Sequence, residues 1–208
     1  MRASIKKTFC GQNHPLLVGS IRQPSPIEAI ADIKNCECDG AQAFILHIQL
    51  LEEQYRSFDC FKQIASSTAL PIMAINYPTE SEADDEFLTA VQIQALSAGF
   101  SAVDIRANTF DYDSRSSLEG CKVAFASANP KEISMRPDVI NKQKQTIEKF
   151  HKTGAQVLIS AHVSVELSEE QAMSLALEMQ SRGADIVKII TDCQTPYFKY
   201  CSNIKKPT

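Results

Sequence analysis

Four times along this chain a glycine is followed by a two-residue link and then a β-favouring apolar run. The runs are Gly40-Ala41-Gln42-Ala43-Phe44-Ile45-Leu46, Gly99-Phe100-Ser101-Ala102-Val103-Asp104-Ile105, Gly154-Ala155-Gln156-Val157-Leu158-Ile159 and Gly183-Ala184-Asp185-Ile186-Val187. Glycine there reads as the left-handed stop of a helix, and the apolar run reads as the next strand. Two more strands lack the glycine: Leu16 to Ile21 opens the series, and Pro71 to Tyr77 begins on proline. Strand starts near 16, 43, 71, 102, 156 and 185 are mostly roughly 29 residues apart. The long 102–156 interval holds an insertion at about 108–136, rich in Ser, Asn and Asp.

Amphipathic helices are predicted between the strands, at about 26–34, 53–66, 82–97 and 137–152. Another starts at Ser168-Glu169-Glu170-Gln171, a capping box, and continues with Ala172, Leu175, Ala176 and Met179 at i, i+3, i+4, i+7 spacing. Strand-then-helix at this pitch predicts a parallel sheet with helical crossovers. An open doubly wound sheet and a (β/α)8 barrel both satisfy that pattern. No G-x-G-x-x-G or G-x-x-x-x-G-K-[ST] follows any strand, which disfavours a nucleotide-binding open sheet and favours the barrel. A closed barrel has eight strands and six are readable, so the expected fold is an incomplete TIM-type barrel. It forms a single barrel-like domain over 1–194. The tail at 195–208 differs in composition, carries no βα unit, and suggests a truncated or frame-shifted reading frame. An open six-stranded remnant exposes strand edges and apolar faces that a partner would have to cover, and a homodimer is one solution.

Charge narrows the function classes. The net charge of −4 and pI near 5.6 leave no basic footprint for nucleic acid. No window approaches the ~20 apolar residues of a membrane span, and the first residues lack the apolar core of a secretory signal. A cytoplasmic protein is expected. The seven cysteines are scattered with no C-x-x-C pair, against a zinc ribbon or a thioredoxin-type motif. A metal site at Cys36, Cys38 and His47 is disfavoured on spacing, and Cys60 and Cys121 read more simply as small packing residues.

Lys188 breaks the pattern. It stands inside Ala184-Asp185-Ile186-Val187-Lys188-Ile189-Ile190, which otherwise reads as a buried parallel strand. An ammonium there must be paired, face a water-filled mouth, or carry chemistry. A desolvated lysine gives up its proton more readily and becomes an amine nucleophile able to form a Schiff base. The bland alternative is a salt bridge to a neighbouring acid, and the strand pattern alone does not choose. In α/β folds chemistry sits at the carboxyl ends of strands. Those ends carry Ser20 and Arg22, His47 and Gln49, Asn76 and Tyr77, Asp104 and Arg106, Ser160 and His162, then Lys188. His162 lies on the strand before that of Lys188, so the two should share one mouth. An amine beside an imidazole is equipment for imine chemistry with proton abstraction next to a carbonyl.

The stretch Gly154-Ala155-Gln156-Val157-Leu158-Ile159-Ser160-Ala161-His162, then the Ser168 helix, then Gly183-Ala184-Asp185-Ile186-Val187-Lys188-Ile189, resembles the type I 3-dehydroquinate dehydratases. In that family an S-x-H motif ends strand 5, and G-A-D-I-x-K-I follows some 26 residues later. His162 and Lys188 match in order and spacing. The resemblance covers roughly residues 15 to 193 and is strongest in the last third. It implies that Lys188 condenses with the ring ketone of a keto acid. His162 then removes the adjacent proton and protonates the departing β-hydroxyl. It also implies no metal or added cofactor, because the lysine supplies the activation. His47 and Gln49 stand where the family usually carries an E-x-R, Tyr77 where it has an arginine, and Arg106 where it has a glutamate. With Ser20, these are the expected substrate-binding residues. Another class I aldolase-like barrel enzyme, or a non-catalytic relative acting as a binding or assembly protein, fits the same departures.

Overall fold

The computed structural model describes residues 8–13, 15–78, 84–112, 133–163 and 166–191. Its strands are β1 (Val18–Ile21), β2 (Ala43–His47), β3 (Ile72–Ile75), β4 (Ala102–Arg106), β5 (Gln156–Val163) and β6 (Ile186–Thr191). The helices are α1 (Pro26–Cys38), α2 (Phe58–Ser66), α3 (Asp85–Ala98), α4 (Pro137–Lys152) and α5 (Glu169–Ser181). Among the described residues the strands form one parallel sheet in the order β1-β2-β3-β4-β5-β6. This is the expected α/β architecture, an incomplete TIM-type barrel with β1 and β6 at its two edges. No helix of the described residues is long and apolar enough to cross a membrane.

Local chemistry sets the element ends. Ser25 caps α1 by accepting from the Glu28 amide, with Pro26 in the first turn. Ser168 and Gln171 form the predicted capping box of α5. The helix expected over 53–66 is two pieces, a 3-10 turn at Glu53–Tyr55 and then α2. Ser57 explains the break, because its hydroxyl caps the Cys60 amide from an extended backbone. The phrase glycines are helix stops: Gly99 has φ 127° and Gly183 φ 110°.

Strand alternation divides the core in two. Phe44 and Leu46 of β2, Val103 and Ile105 of β4, and Val157 and Ile159 of β5 pack on the helices. There Phe61 of α2 meets Phe100 edge-on, with ring centroids 6.0 Å apart. The opposite, concave face has two tiers. At the amino ends of the strands Ala43, Met73, Ala102 and Leu158 cluster with Phe9 from the segment before β1. That segment is held across the sheet, since the Cys10 amide donates to Gln156 Oε1 at 3.2 Å. The upper tier, towards the carboxyl ends, is polar.

A buried polar knot ties down the long connection between β4 and α4. Arg182, 2% exposed, closes α5. It donates to the Ala107 and Ser134 carbonyls and to Gln143 Oε1 at 3.2, 2.8 and 2.9 Å. Gln143 Nε2 in turn donates to the carbonyls of Ala107 and Thr109. Both feet of the predicted insertion (108–136) are therefore anchored. Its middle, 113–132, and the tail at 195–208 lie outside the described residues.

Candidate active site

Register brings the upper-tier residues together. Lys188 pairs with Ser160, and Arg106 pairs with Ser160 from the other side. In parallel strands such partners send their side chains to the same face. Lys188 Nζ lies 2.9 Å from Asp104 Oδ2 and 3.3 Å from the Tyr77 hydroxyl. The Asp104 carboxylate is 1% exposed and also accepts from Tyr77 Oη at 2.8 Å and Ser160 Oγ at 2.7 Å. Tyr77 Oη and Ser160 Oγ are themselves 2.9 Å apart. One carboxylate is thus ringed by an amine and two hydroxyls, drawn from β4, β5, β6 and the end of β3. The lysine side chain stays one-third exposed, so its amine faces the mouth while it is paired with an acid.

Two of the surrounding groups, Tyr77 and His47, have shifted pKa values. Burial pushes the Tyr77 phenol well above its ordinary 10, and the Asp104 charge adds to this, while Ser160 and Arg106 oppose it. Tyr77 therefore keeps its proton at neutral pH. His162, 5% exposed, lies two residues beyond Ser160 on the same strand face. Its ring meets that of Tyr77 edge-on, with centroids 6.4 Å apart. The Arg106 guanidinium stands 5.9 Å from the Tyr77 ring centroid, a cation–π arrangement. His47 Nε2 is 3.2 Å from the Ser20 hydroxyl. Its pKa is lowered to about 4, chiefly by burial and then by the charges of Arg22 and Lys188, so it is neutral near pH 7.

Tyr77, Arg106, His162 and Lys188 gather at one place, and the Ser20–His47 pair stands further round the same rim. Gln49 is buried on the 3-10 turn after β2, where Arg56 Nη2 donates to its backbone carbonyl at 3.0 Å. Asp104 and Ser160 were visible among the strand-end residues but were given no role by sequence reasoning, and Asp104 proves to be the hub. The signal was available: a carboxylate inside the apolar run Ala102-Val103-Asp104-Ile105 needs a partner for the same reason that Lys188 does. Arg22 and Lys188 both act on His47 through their charges, and Arg106 stands over the Tyr77 ring, so three cations border this rim.

No protein-family model matches the chain, and no curated protein matches it. Solved structures do. The 3-dehydroquinate dehydratase from Enterococcus faecalis superposes with a TM-score of 0.60 at 17% identity, over 89% of this chain and 69% of that one. A type I 3-dehydroquinate dehydratase from Clostridium difficile, solved with covalently modified comenic acid, gives 0.63 at 16%, over 89% and 66%. The deoxyribose phosphate aldolase from Aeropyrum pernix gives 0.50 at 13%, over 84% and 62%. The relationship shown is one of fold. The chain spans about two thirds of the length of these barrel enzymes, and the barrel architecture is what it shares with them.

Proposed function

We propose that this chain is an imine-forming lyase of the type I 3-dehydroquinate dehydratase kind, acting on a small cyclic keto acid. The observation that carries this reading is the Lys188 amine, held by the buried Asp104 and facing the carboxyl-end mouth of a barrel-type sheet. In this mechanism the nitrogen of Lys188 attacks the ring ketone, and loss of water gives an iminium. His162, one pleat nearer the rim on the neighbouring strand, takes the proton from the adjacent carbon. The iminium accepts the electron pair of the broken C–H bond. The β-hydroxyl then leaves as water with the proton from His162, and hydrolysis of the product imine frees Lys188. Arg106 is assigned to the substrate carboxylate, and Ser20, His47, Gln49 and Tyr77 to its hydroxyls. The lysine provides the electron sink, so the steps invoke no metal or added cofactor. His47, Gln49, Tyr77 and Arg106 at the family's anchor positions favour, as a second reading, another keto substrate for the same imine chemistry.

Borohydride trapping of the folded protein with 3-dehydroquinate, read by intact mass and peptide mapping, tests the reading. An adduct on Lys188 that is absent in Lys188→Ala is expected. No adduct, from a protein with an unaltered circular dichroism spectrum, overturns it and leaves a non-catalytic relative.

A further inference from the structure

We propose that Tyr77 is a catalytic residue at Lys188, carrying protons between the amine nitrogen and the substrate oxygen through a relay completed by Asp104 and Ser160. The inference rests on the imine-forming reading and adds a step at the nitrogen to the carbon chemistry assigned to His162. The Tyr77 hydroxyl lies 3.3 Å from the reacting nitrogen, and the His162 ring meets the Tyr77 ring edge-on beside it. Imine formation needs proton traffic at the nitrogen and oxygen before any carbon is deprotonated, and a hydroxyl touching the amine is placed for it.

The proton balance closes within the site. Lys188 begins as an ammonium with three hydrogens, and the substrate contributes a bare carbonyl. One proton passes to the Asp104 carboxylate, 2.9 Å away, and the freed electron pair forms the C–N bond. The carbonyl π pair moves to oxygen, which takes the proton of the Tyr77 hydroxyl. Tyr77 regains a proton from Asp104, to which its own hydroxyl is bonded at 2.8 Å. A second nitrogen proton follows the same route, the C–O bond breaks, and the oxygen leaves as water. One hydrogen remains on the iminium nitrogen. The charge of the site is +1 on nitrogen and −1 on Asp104 before and after, and Tyr77 ends as it began. Ser160 Oγ, bonded to both Asp104 Oδ1 and Tyr77, holds the two in line and stabilises whichever is transiently charged. The strong burial of Tyr77 suits a group that must be neutral at rest and ionise only in passing.

Pentane-2,4-dione separates this inference from the reading beneath it. It is a small diketone that forms a conjugated enaminone on a reactive lysine, read by near-ultraviolet absorbance, and it needs none of the substrate anchors. With the full chain, an adduct that disappears in Lys188→Ala is expected. In Tyr77→Phe its rate of formation should fall about 10²-fold or more, with the adduct mass unchanged. No adduct in the parent protein overturns the imine reading and this inference with it. An adduct that forms equally fast in Tyr77→Phe overturns the inference alone. Should Tyr77→Phe fail to fold, biosynthetic replacement of tyrosine by 3-fluorotyrosine provides an isosteric variant with a more acidic phenol. The alkaline limb of the rate profile should then move to lower pH. A purely structural hydroxyl leaves that limb in place, and this result overturns the proposal.

Discussion

Replacing Lys188 by methionine removes a charge from the one acid that the fold has buried beneath it. Asp104 then keeps its two hydroxyl donors, Tyr77 and Ser160, and loses its cation. At 2.9 Å and an effective dielectric near 20, the gross attraction between the two charges is roughly 6 kcal/mol. Much of that is offset, because the lysine side chain is one-third exposed and its amine is well hydrated in the unfolded chain. Removing one partner of a fully buried pair costs about 3–5 kcal/mol. For this half-open pair we expect about 2–3 kcal/mol. In a protein of this size that lowers the melting temperature by roughly 4–12 °C. The double variant Lys188→Met with Asp104→Asn should regain at least half of that loss at pH 7.5. Urea and thermal denaturation of the three proteins at pH 7.5 supply the comparison. A single variant as stable as the parent at pH 7.5, or a double variant no better than the single, would refute the reasoning that Asp104 depends on Lys188.

Two further outcomes follow from buried groups away from the amine. Arg182→Met should destabilise the fold by about 3–4 kcal/mol, because two carbonyls and Gln143 Oε1 lose buried donors. Arg182→Lys should recover little, since an ammonium cannot replace a fork that reaches all three; equilibrium unfolding checks both. His47 titrates at about 4 in the folded protein against about 6.5 in the unfolded chain. Between those values the folded state binds fewer protons, so stability falls as the pH drops from 6.5 towards 4, by up to roughly 3 kcal/mol. His47→Gln should flatten that part of the stability–pH curve, and a curve unchanged by the substitution would show that His47 is not its source.

The fold was largely legible because its signals are local. The glycine stops, the Ser168 capping box and the apolar runs each depend on a few neighbouring residues, and the helices and strands fall where those signals put them. The break at Ser57 escaped because an apolar stripe through 58–64 continues the preceding periodicity, and a capping serine does not interrupt such a stripe. The candidate site was legible only as a set of strand-end residues. Which of them touch depends on register and on side-chain reach across strands, and neither is written in any one segment. Lys188 declared itself by being charged inside an apolar run; its partner Asp104, 84 positions earlier, declared itself in the same way but was not paired with it.

The apolar lower tier has a consequence for the order in which the protein can be completed. Phe9 rests on side chains from β2, β3, β4 and β5, and Cys10 reaches Gln156 and the Asp185 carbonyl at the starts of β5 and β6. Residues made before β1 therefore find their seat only after the far edge of the sheet exists. During synthesis they must wait, unplaced, while some 175 further residues are added. Until then the floor beneath the Lys188 cluster is open to water, so the site becomes sealed from below as one of the last events of folding rather than one of the first.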